Sequence, residues 1–178
     1  MNIRTVIEKL TGFFAKEKIE YALIGAFALQ AYGYVRATQD IDFVVRGESQ
    51  ERIIRFLETL GYETSYRSSG FSNHVHPIPN LGQIDFVYVE AETASKLFSQ
   101  TKPASIIGDF SVPVVRLEHL IALKVFAMKN DPQRSFREMA DIQQLMSLAS
   151  ANVDIDEVRG YFEKYGQLEK FHELTGKD

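Results

Sequence analysis

Two strand-like apolar segments that carry aspartates constrain the fold of this chain more than any other feature. They are residues 40–45 (DIDFVV) and residues 83–89 (QIDFVYV). Both segments are rich in Val, Ile, Phe and Tyr, which favour strands, whereas Asp is normally depleted there. Successive strand side chains alternate between faces, so Asp40 and Asp42 point the same way, roughly 7 Å apart. If Asp85 lies on a neighbouring strand with the same facing, the three carboxylates meet on one patch of a sheet.

Three carboxylates on one patch repel each other unless a cation lies among them. Hard divalent cations such as Mg²⁺ prefer oxygen ligands of this kind. The pattern therefore predicts a metal site at Asp40, Asp42 and Asp85 of the type that serves phosphoryl transfer. The alternative is that these aspartates end strands or pair with arginines. That arrangement is unfavourable for two carboxylates on one face of an apolar strand.

The composition is that of an ordinary globular protein. The 178 residues are 45% hydrophobic and 25% charged, enough for one core with or without a small helical appendage. The absence of Cys excludes disulfides, thiolate metal sites and a cysteine nucleophile. The amphipathic start and the lack of a long apolar run favour a cytoplasmic protein with no membrane partner. A net charge of −4 does not favour a long polynucleotide as substrate.

The order of predicted elements indicates an α/β (α+β) fold, with a mixed sheet flanked by helices and a C-terminal helical subdomain. We expect a core domain over 1–116 and a helical subdomain over 117–178 packed on it, or one single domain. Gly33 is expected to end the second helix, and Ser49 to cap the third. The predicted helices cover about 2–17, 26–32, 48–60, 91–100, 117–129, 133–149 and 154–174. The predicted strands cover 21–24, 40–46, one or two irregular strands within 62–79, the segment after Gly82, 105–107 and 112–115.

The stretch from Ile24-Gly25-Ala26 through Gly33 to Arg36-Ala37-Thr38-Gln39-Asp40-Ile41-Asp42 resembles a known signature. It is similar to the minimal nucleotidyltransferases of the DNA polymerase β superfamily, in the branch of the AbiEii-type toxins. That pattern is a Gly followed by Gly or Ser at a strand-to-helix turn, then Asp-x-Asp, then a third Asp from a later strand. The resemblance covers roughly residues 20–90.

The resemblance implies transfer of a nucleoside monophosphate from an NTP to an acceptor hydroxyl, with release of pyrophosphate. It implies two Mg²⁺ ions about 3.5–4 Å apart, with Mn²⁺ as a substitute. Asp40 and Asp42 would bind both ions, and Asp85 would bind the one beside the attacking hydroxyl and accept its proton. The acceptor could be a protein side chain, the 3′ end of a tRNA or a small molecule such as an antibiotic. The toxin branch also implies an antitoxin as a partner.

Nucleotide contacts are expected at Gly25, Ala26, Arg36 and Lys124. Position 26 is Ala where the family usually has Gly or Ser, so a hydroxyl contact to the triphosphate is lost and only backbone N–H groups remain there. Arg36 is equally consistent with a solvated loop residue. Lys124 lies in an apolar helix and either reaches the triphosphate or pairs with acidic groups, and Asp141 is expected to orient Lys124 or Arg137.

Two other readings stay open. The Ala at position 26 is compatible with a degenerate nucleotide-binding module that acts as a regulatory or toxin–antitoxin partner without catalysis. A metal-dependent phosphohydrolase would use the same carboxylates.

His74 and His76 alternate in a strand and either form part of a zinc site or are ordinary, partly exposed strand histidines. Several aromatic residues could stack a base or belong to the core: Tyr62, Tyr66, Phe71 and Tyr88.

Overall fold

The computed structural model describes residues 3–38, 40–107, 110–148 and 153–176. The chain forms two compact units. The first consists of Met1–Ala31 and Val35–Val115, and the second of Tyr32–Tyr34 and Arg116–Asp178. The expected domains 1–116 and 117–178 stay a prediction, because a compact unit is not by itself an independently folding domain.

The first unit contains a seven-stranded mixed sheet with helices. Its helices are α1 (Ile3–Glu17), α2 (Gly25–Gln30), α3 (Gln50–Thr59) and α4 (Ala91–Phe98), with 3₁₀ turns at Gly47–Ser49 and Pro79–Leu81. Its strands are β1 (Tyr21–Ile24), β2 (Asp40–Arg46), β3 (Glu63–Arg67), β4 (Phe71–Val75), β5 (Gln83–Val89), β6 (Lys102–Ile107) and β7 (Phe110–Val114). The strand order is β3-β4-β5-β2-β1-β7-β6. Strands β2 and β5 pair in parallel, as do β1 and β7, and the remaining pairs are antiparallel. The predicted fold class is confirmed.

An aromatic cluster covers one face of the central strands. Phe43 of β2 and Phe86 of β5 are fully buried, and their ring centroids lie 5.7 Å apart. Phe14 of α1 meets the Phe43 ring edge-on, also at 5.7 Å. Burying these rings against α1 removes a large apolar area from water. Because strand side chains alternate, the same packing turns Asp42 and Asp85 to the opposite face.

The second unit is helical. Its helices are α5 (Leu117–Asn130), α6 (Ser135–Leu148), α7 (Ile155–Lys164) and α8 (Leu168–Thr175), with a 3₁₀ turn at Pro132–Arg134. The predicted break at Asp131-Pro132 is confirmed, and the Asp131 side chain accepts a hydrogen bond from the N–H of Gln133 at 3.0 Å. Fully buried side chains from the helices form its core: Ile121, Val125, Ile142, Leu145, Val158 and Phe162.

Three local predictions were wrong. The second helix ends at Gln30, and Gly33 lies in the turn beyond it with φ +82°, so it does not cap the helix. Ser49 stands before α3 but its side chain makes no capping hydrogen bond, because a 3₁₀ turn precedes the helix there. The segment predicted as one helix over 154–174 is two helices, since Gly166 adopts φ +67° between them.

Every helix in the described part of the chain is too short or too polar to span a lipid bilayer.

Candidate active site

The two aspartate-bearing strands are direct neighbours in the sheet. Strands β2 and β5 pair in parallel with Asp42 opposite Asp85. Both aspartates are half-buried and alternate with fully buried apolar residues. Register partners in adjacent strands point to the same face of the sheet. The Asp42 and Asp85 side chains therefore share one face, and the Cα atoms of the two residues lie roughly 5 Å apart. The predicted placement of Asp85 on a neighbouring strand with the same facing is therefore found.

Asp40 opens β2 two residues before Asp42, on the same face and exposed to solvent. Its backbone N–H donates to the Thr38 hydroxyl at 3.1 Å. Thr38 thus shapes the entry into the strand. Asp40 pairs across the ladder with Gln83.

Gly25 brings the backbone directly against the Asp42 carboxylate. It follows β1, whose last residue Ile24 is the register partner of Asp42. Gly25 has φ +63°, and a Cβ built on it would lie 2.0 Å from Asp42 Oδ2. Only glycine combines this backbone conformation with so close an approach. Glycine is therefore required here for geometry, whatever ligand the turn holds.

Gly25→Ala is expected to destabilise the protein by about 2–4 kcal/mol, through left-handed backbone strain and the displacement of Asp42. Gly33→Ala is the matched control, because Gly33 also has positive φ but a Cβ there would meet nothing within 4 Å. It should cost about 1–2 kcal/mol, from the left-handed backbone strain alone. Urea unfolding measures the free energy of unfolding of both variants. Equal losses in the two variants would show that displacing the Asp42 side chain costs no free energy.

The Asp85 carboxylate is held by two side-chain amides. Asn73 Nδ2 donates to Asp85 Oδ1 at 2.6 Å, and Gln83 Nε2 donates to Oδ1 at 2.9 Å and to Oδ2 at 3.0 Å. Asn73 lies on β4 as the register partner of Asp85. Sequence reasoning missed both amides. The position of Gln83, two residues before Asp85 in one strand, was a usable signal for it, but nothing local links Asn73 to Asp85.

The two central carboxylates contact different neighbours. Asp42 lies against Gly25 on the β1 side, whereas Asp85 is bonded to Asn73 on the β4 side. Among the described residues, no three His, Asp or Glu side chains are grouped closely enough to hold a metal ion as they stand. By residue type and register the set still fits a hard divalent cation, provided that the side chains turn toward one another.

Lys124 is paired within the second unit. It is 6% exposed, and its Nζ donates to Glu138 Oε2 at 2.8 Å and to Asp141 Oδ2 at 2.6 Å. Arg134 binds the other oxygen of Glu138 at 2.7 Å. Burial raises the pKa of Glu138, but the charges of Lys124 and Arg134 outweigh it and hold that pKa below its ordinary value. Asp141 thus contacts Lys124, one of its two predicted partners, and its orienting role stays a prediction.

The histidines have structural partners. The His74 ring is buried, with Nδ1 3.1 Å from the Thr64 hydroxyl and Nε2 2.8 Å from the Ser72 hydroxyl. Ser72 in turn lies 2.7 Å from the Tyr88 hydroxyl. His76 follows β4 and accepts a hydrogen bond from the N–H of Ile78 at 2.9 Å. The expectation that both are partly exposed was wrong for His74, because its strand face packs inward.

Lowering the pH is expected to destabilise the protein through His74. Burial lowers the pKa of His74 to about 4, below its unfolded value of 6.5, so the unfolded chain binds the extra proton between these values. The contribution of His74 is therefore complete above pH 6.5 and is lost toward pH 4, about 3 kcal/mol in all. Unfolding of wild type and His74→Gln from pH 7.5 to 4.5 measures it. Parallel pH profiles of the two proteins would contradict the expectation.

Two of the four aromatic candidates are buried in the core, and the other two are at least partly exposed. Tyr62 and Tyr88 are buried in the core, and the Tyr62 hydroxyl donates to the Leu81 carbonyl at 2.7 Å. Tyr66 is 55% exposed and pairs in register with Asn73, with the Phe71 ring 6.1 Å from its own. The core alternative thus holds for Tyr62 and Tyr88, and base stacking by Tyr66 or Phe71 stays a prediction.

A glycine turn after one strand, followed by paired aspartates on the central strands of a mixed sheet, matches the nucleotidyltransferase signature that the sequence resembles. The chain belongs to the AbiEii nucleotidyl transferase toxin family, described as a type IV toxin–antitoxin system, whose model matches residues 10–178. The resemblance seen in the sequence is confirmed. No curated protein sequence matches the chain.

Solved structures share its fold. The antibiotic-resistance factor ANT(2'')-Ia matches with a TM-score of 0.68 and 18% identity over 95% of this chain and 96% of that one. The lincosamide antibiotic adenylyltransferase LnuA, solved with lincomycin bound, matches at 0.56 and 14% over 80% and 95%. An antigenic nucleotidyltransferase-like protein from Paracoccidioides brasiliensis matches at 0.55 and 13% over 99% and 93%. At these identities the likeness establishes the fold.

Proposed function

We propose that this enzyme transfers a nucleoside monophosphate from an NTP to an acceptor hydroxyl, releases pyrophosphate, and requires Mg²⁺ or Mn²⁺. One observation carries the proposal: Asp42 and Asp85 stand in register on one face of the sheet, with Gly25 against Asp42. Membership of a nucleotidyltransferase family supports the same chemistry.

Asp40, Asp42 and Asp85 are the residues that would hold the divalent ions. When bound, such ions neutralise charge on the triphosphate and on the leaving group. The acceptor oxygen forms a bond to the α-phosphorus while the bond to the bridging oxygen breaks, and pyrophosphate leaves with the electron pair. Asp85 takes the proton of the acceptor hydroxyl. The amides of Asn73 and Gln83 donate hydrogen bonds to this carboxylate and hold it in place.

The nucleotide contacts are proposed at Gly25, Ala26, Arg36 and Lys124. Ala26 is buried and offers its backbone N–H in place of a hydroxyl. Arg36 is half-exposed in the segment before β2, where a guanidinium suits bidentate phosphate binding. The Lys124 ammonium is held by two carboxylates, so a triphosphate would have to compete with them.

Three classes of acceptor agree with this chemistry: a protein side chain, the 3′ end of a tRNA, or a small hydroxylated molecule. The net charge of −4 provides no general attraction for a long polynucleotide. One structural neighbour is a lincosamide antibiotic adenylyltransferase with lincomycin bound, and another is the antibiotic-resistance factor ANT(2'')-Ia in complex with adenylyl-2''-tobramycin. Both support testing small molecules. The toxin family supports an antitoxin as partner.

The test is incubation of the purified protein with Mg²⁺ or Mn²⁺ and each labelled NTP, with and without total tRNA or aminoglycosides. Pyrophosphate release and label transfer are followed together. Release that is lost in Asp42→Asn supports the proposal, and the labelled species identifies the acceptor. Metal-dependent NTP binding without release under any acceptor would favour a binding module. Free phosphate instead of pyrophosphate would indicate a phosphohydrolase.

A further inference from the structure

Asp85 stands between an attractive and a repulsive neighbour. On the β2 side its register partner is the carboxylate of Asp42, and on the β4 side it is the amide of Asn73. The repulsion from Asp42 and the hydrogen bond from Asn73 act on the Asp85 carboxylate in the same direction. Both therefore draw it toward β4.

Gln83 fixes the tilt of the same carboxylate. Two residues apart in one strand, Gln83 and Asp85 share a face, and the Gln83 amide contacts both carboxylate oxygens at 2.9 and 3.0 Å. Asn73 adds the shortest contact, 2.6 Å to Oδ1. Hydrogen bonds to a charged acceptor are among the stronger ones in proteins, so two amides restrict the rotation of this side chain.

We propose that Asn73 and Gln83 are positioning residues that determine how tightly the site binds its divalent cation and how fast the acceptor is activated. This inference rests on the proposed function, since it assigns Asp85 to the cation and the acceptor hydroxyl. The two amides hold the carboxylate as an oriented anion before the cation arrives. Without them, Asp85 would have to be ordered against the charge of Asp42 at the moment of binding.

The variants that test this remove the donor and keep the size: Asn73→Leu and Gln83→Met. Residues that orient a metal ligand typically contribute 10–100-fold to metal affinity or activity. We expect Mn²⁺ binding to the NTP-free protein, followed by electron paramagnetic resonance of free Mn²⁺, to weaken about 10–100-fold in each. Asn80→Leu, the same substitution at an exposed amide in a 3₁₀ turn, is the matched control and should bind as wild type does.

Steady-state kinetics separate positioning from a merely structural role. The variants should lose kcat by a similar factor while KM for the NTP changes little, because the triphosphate is assigned to other residues. In the metal-free protein, the side-chain NH₂ signals of Asn73 and Gln83 in ¹H–¹⁵N NMR spectra should move in Asp85→Asn. Signals that stay in place would overturn the contact itself.

Mn²⁺ binding by the variants distinguishes a failure of the proposed function from a failure of the positioning role alone. If wild type and Asp42→Asn bind Mn²⁺ equally weakly, the proposed function falls and the positioning role falls with it. If binding depends on Asp42 but Asn73→Leu and Gln83→Met bind as wild type does, only the positioning role is overturned. Should Asn73→Leu fail to fold, Gln83→Met still decides the question, because Gln83 makes its contacts within its own strand.

Discussion

Asp42→Asn is expected to reduce nucleotidyl transfer by about 10³-fold or more while leaving the protein folded. A divalent ion contributes several kcal/mol to stabilising charge in the transition state, and each 1.4 kcal/mol corresponds to a factor of ten in rate. The amide has the same shape as the carboxylate but no charge to hold the ion. Pyrophosphate release under saturating NTP and Mg²⁺ is the measurement.

The metal-free Asp42→Asn protein should be as stable as wild type, or more stable by up to about 1 kcal/mol, since the repulsion with Asp85 is relieved. Asp85→Asn should lose turnover in the same way. Asp156→Asn, at an exposed position in the first turn of α7, is the control and should retain full activity. Unfolding of the Asp42 variant would mean that its carboxylate has a structural role, and unchanged turnover would remove it from the chemistry.

Lys124→Met is expected to destabilise the protein by about 3–5 kcal/mol, which lowers the Tm by about 10 °C for a chain of this size. The reason is the burial of its partners: Asp141 is 1% exposed and Glu138 2%. Removing the ammonium leaves two buried carboxylates with one cation fewer between them. Thermal and urea unfolding measure the loss.

Lys129→Met is the matched control on the same helix. Lys129 is exposed, and its ammonium lies 5.8 Å from the Tyr165 ring centroid. Loss of this cation–π contact should lower the free energy of unfolding by only about 0.5–1 kcal/mol.

The double variant Lys124→Met with Asp141→Asn should recover much of the stability, because an apolar replacement of a buried ion pair is often neutral. If Lys124→Met melts like wild type, the buried ion network does not stabilise the helical unit.

Local pattern predicted most of the central strands, because a strand with one buried face repeats every two residues. Strands β2 and β5 begin and end close to where Val, Ile and Phe alternate with aspartates, and β1 coincides with the short apolar run Tyr21–Ile24. The ends of the second helix and of the last helical segment were harder to predict. The second helix ends three residues before Gly33, and the last segment divides where Gly166 adopts positive φ. Neither break follows from the residues next to it in sequence.

The sequence alone determined that Asp40 and Asp42 share one face of a strand and that Gly25 precedes them at a turn, because both are properties of a few adjacent residues. Only the tertiary structure decided that Asp85 is the register partner of Asp42 and that Asn73 lies on its other side. Pairing between strands distant in the chain is selected by burial of the Phe14, Phe43 and Phe86 rings. The directions of the carboxylates depend in turn on the neighbours that this pairing supplies.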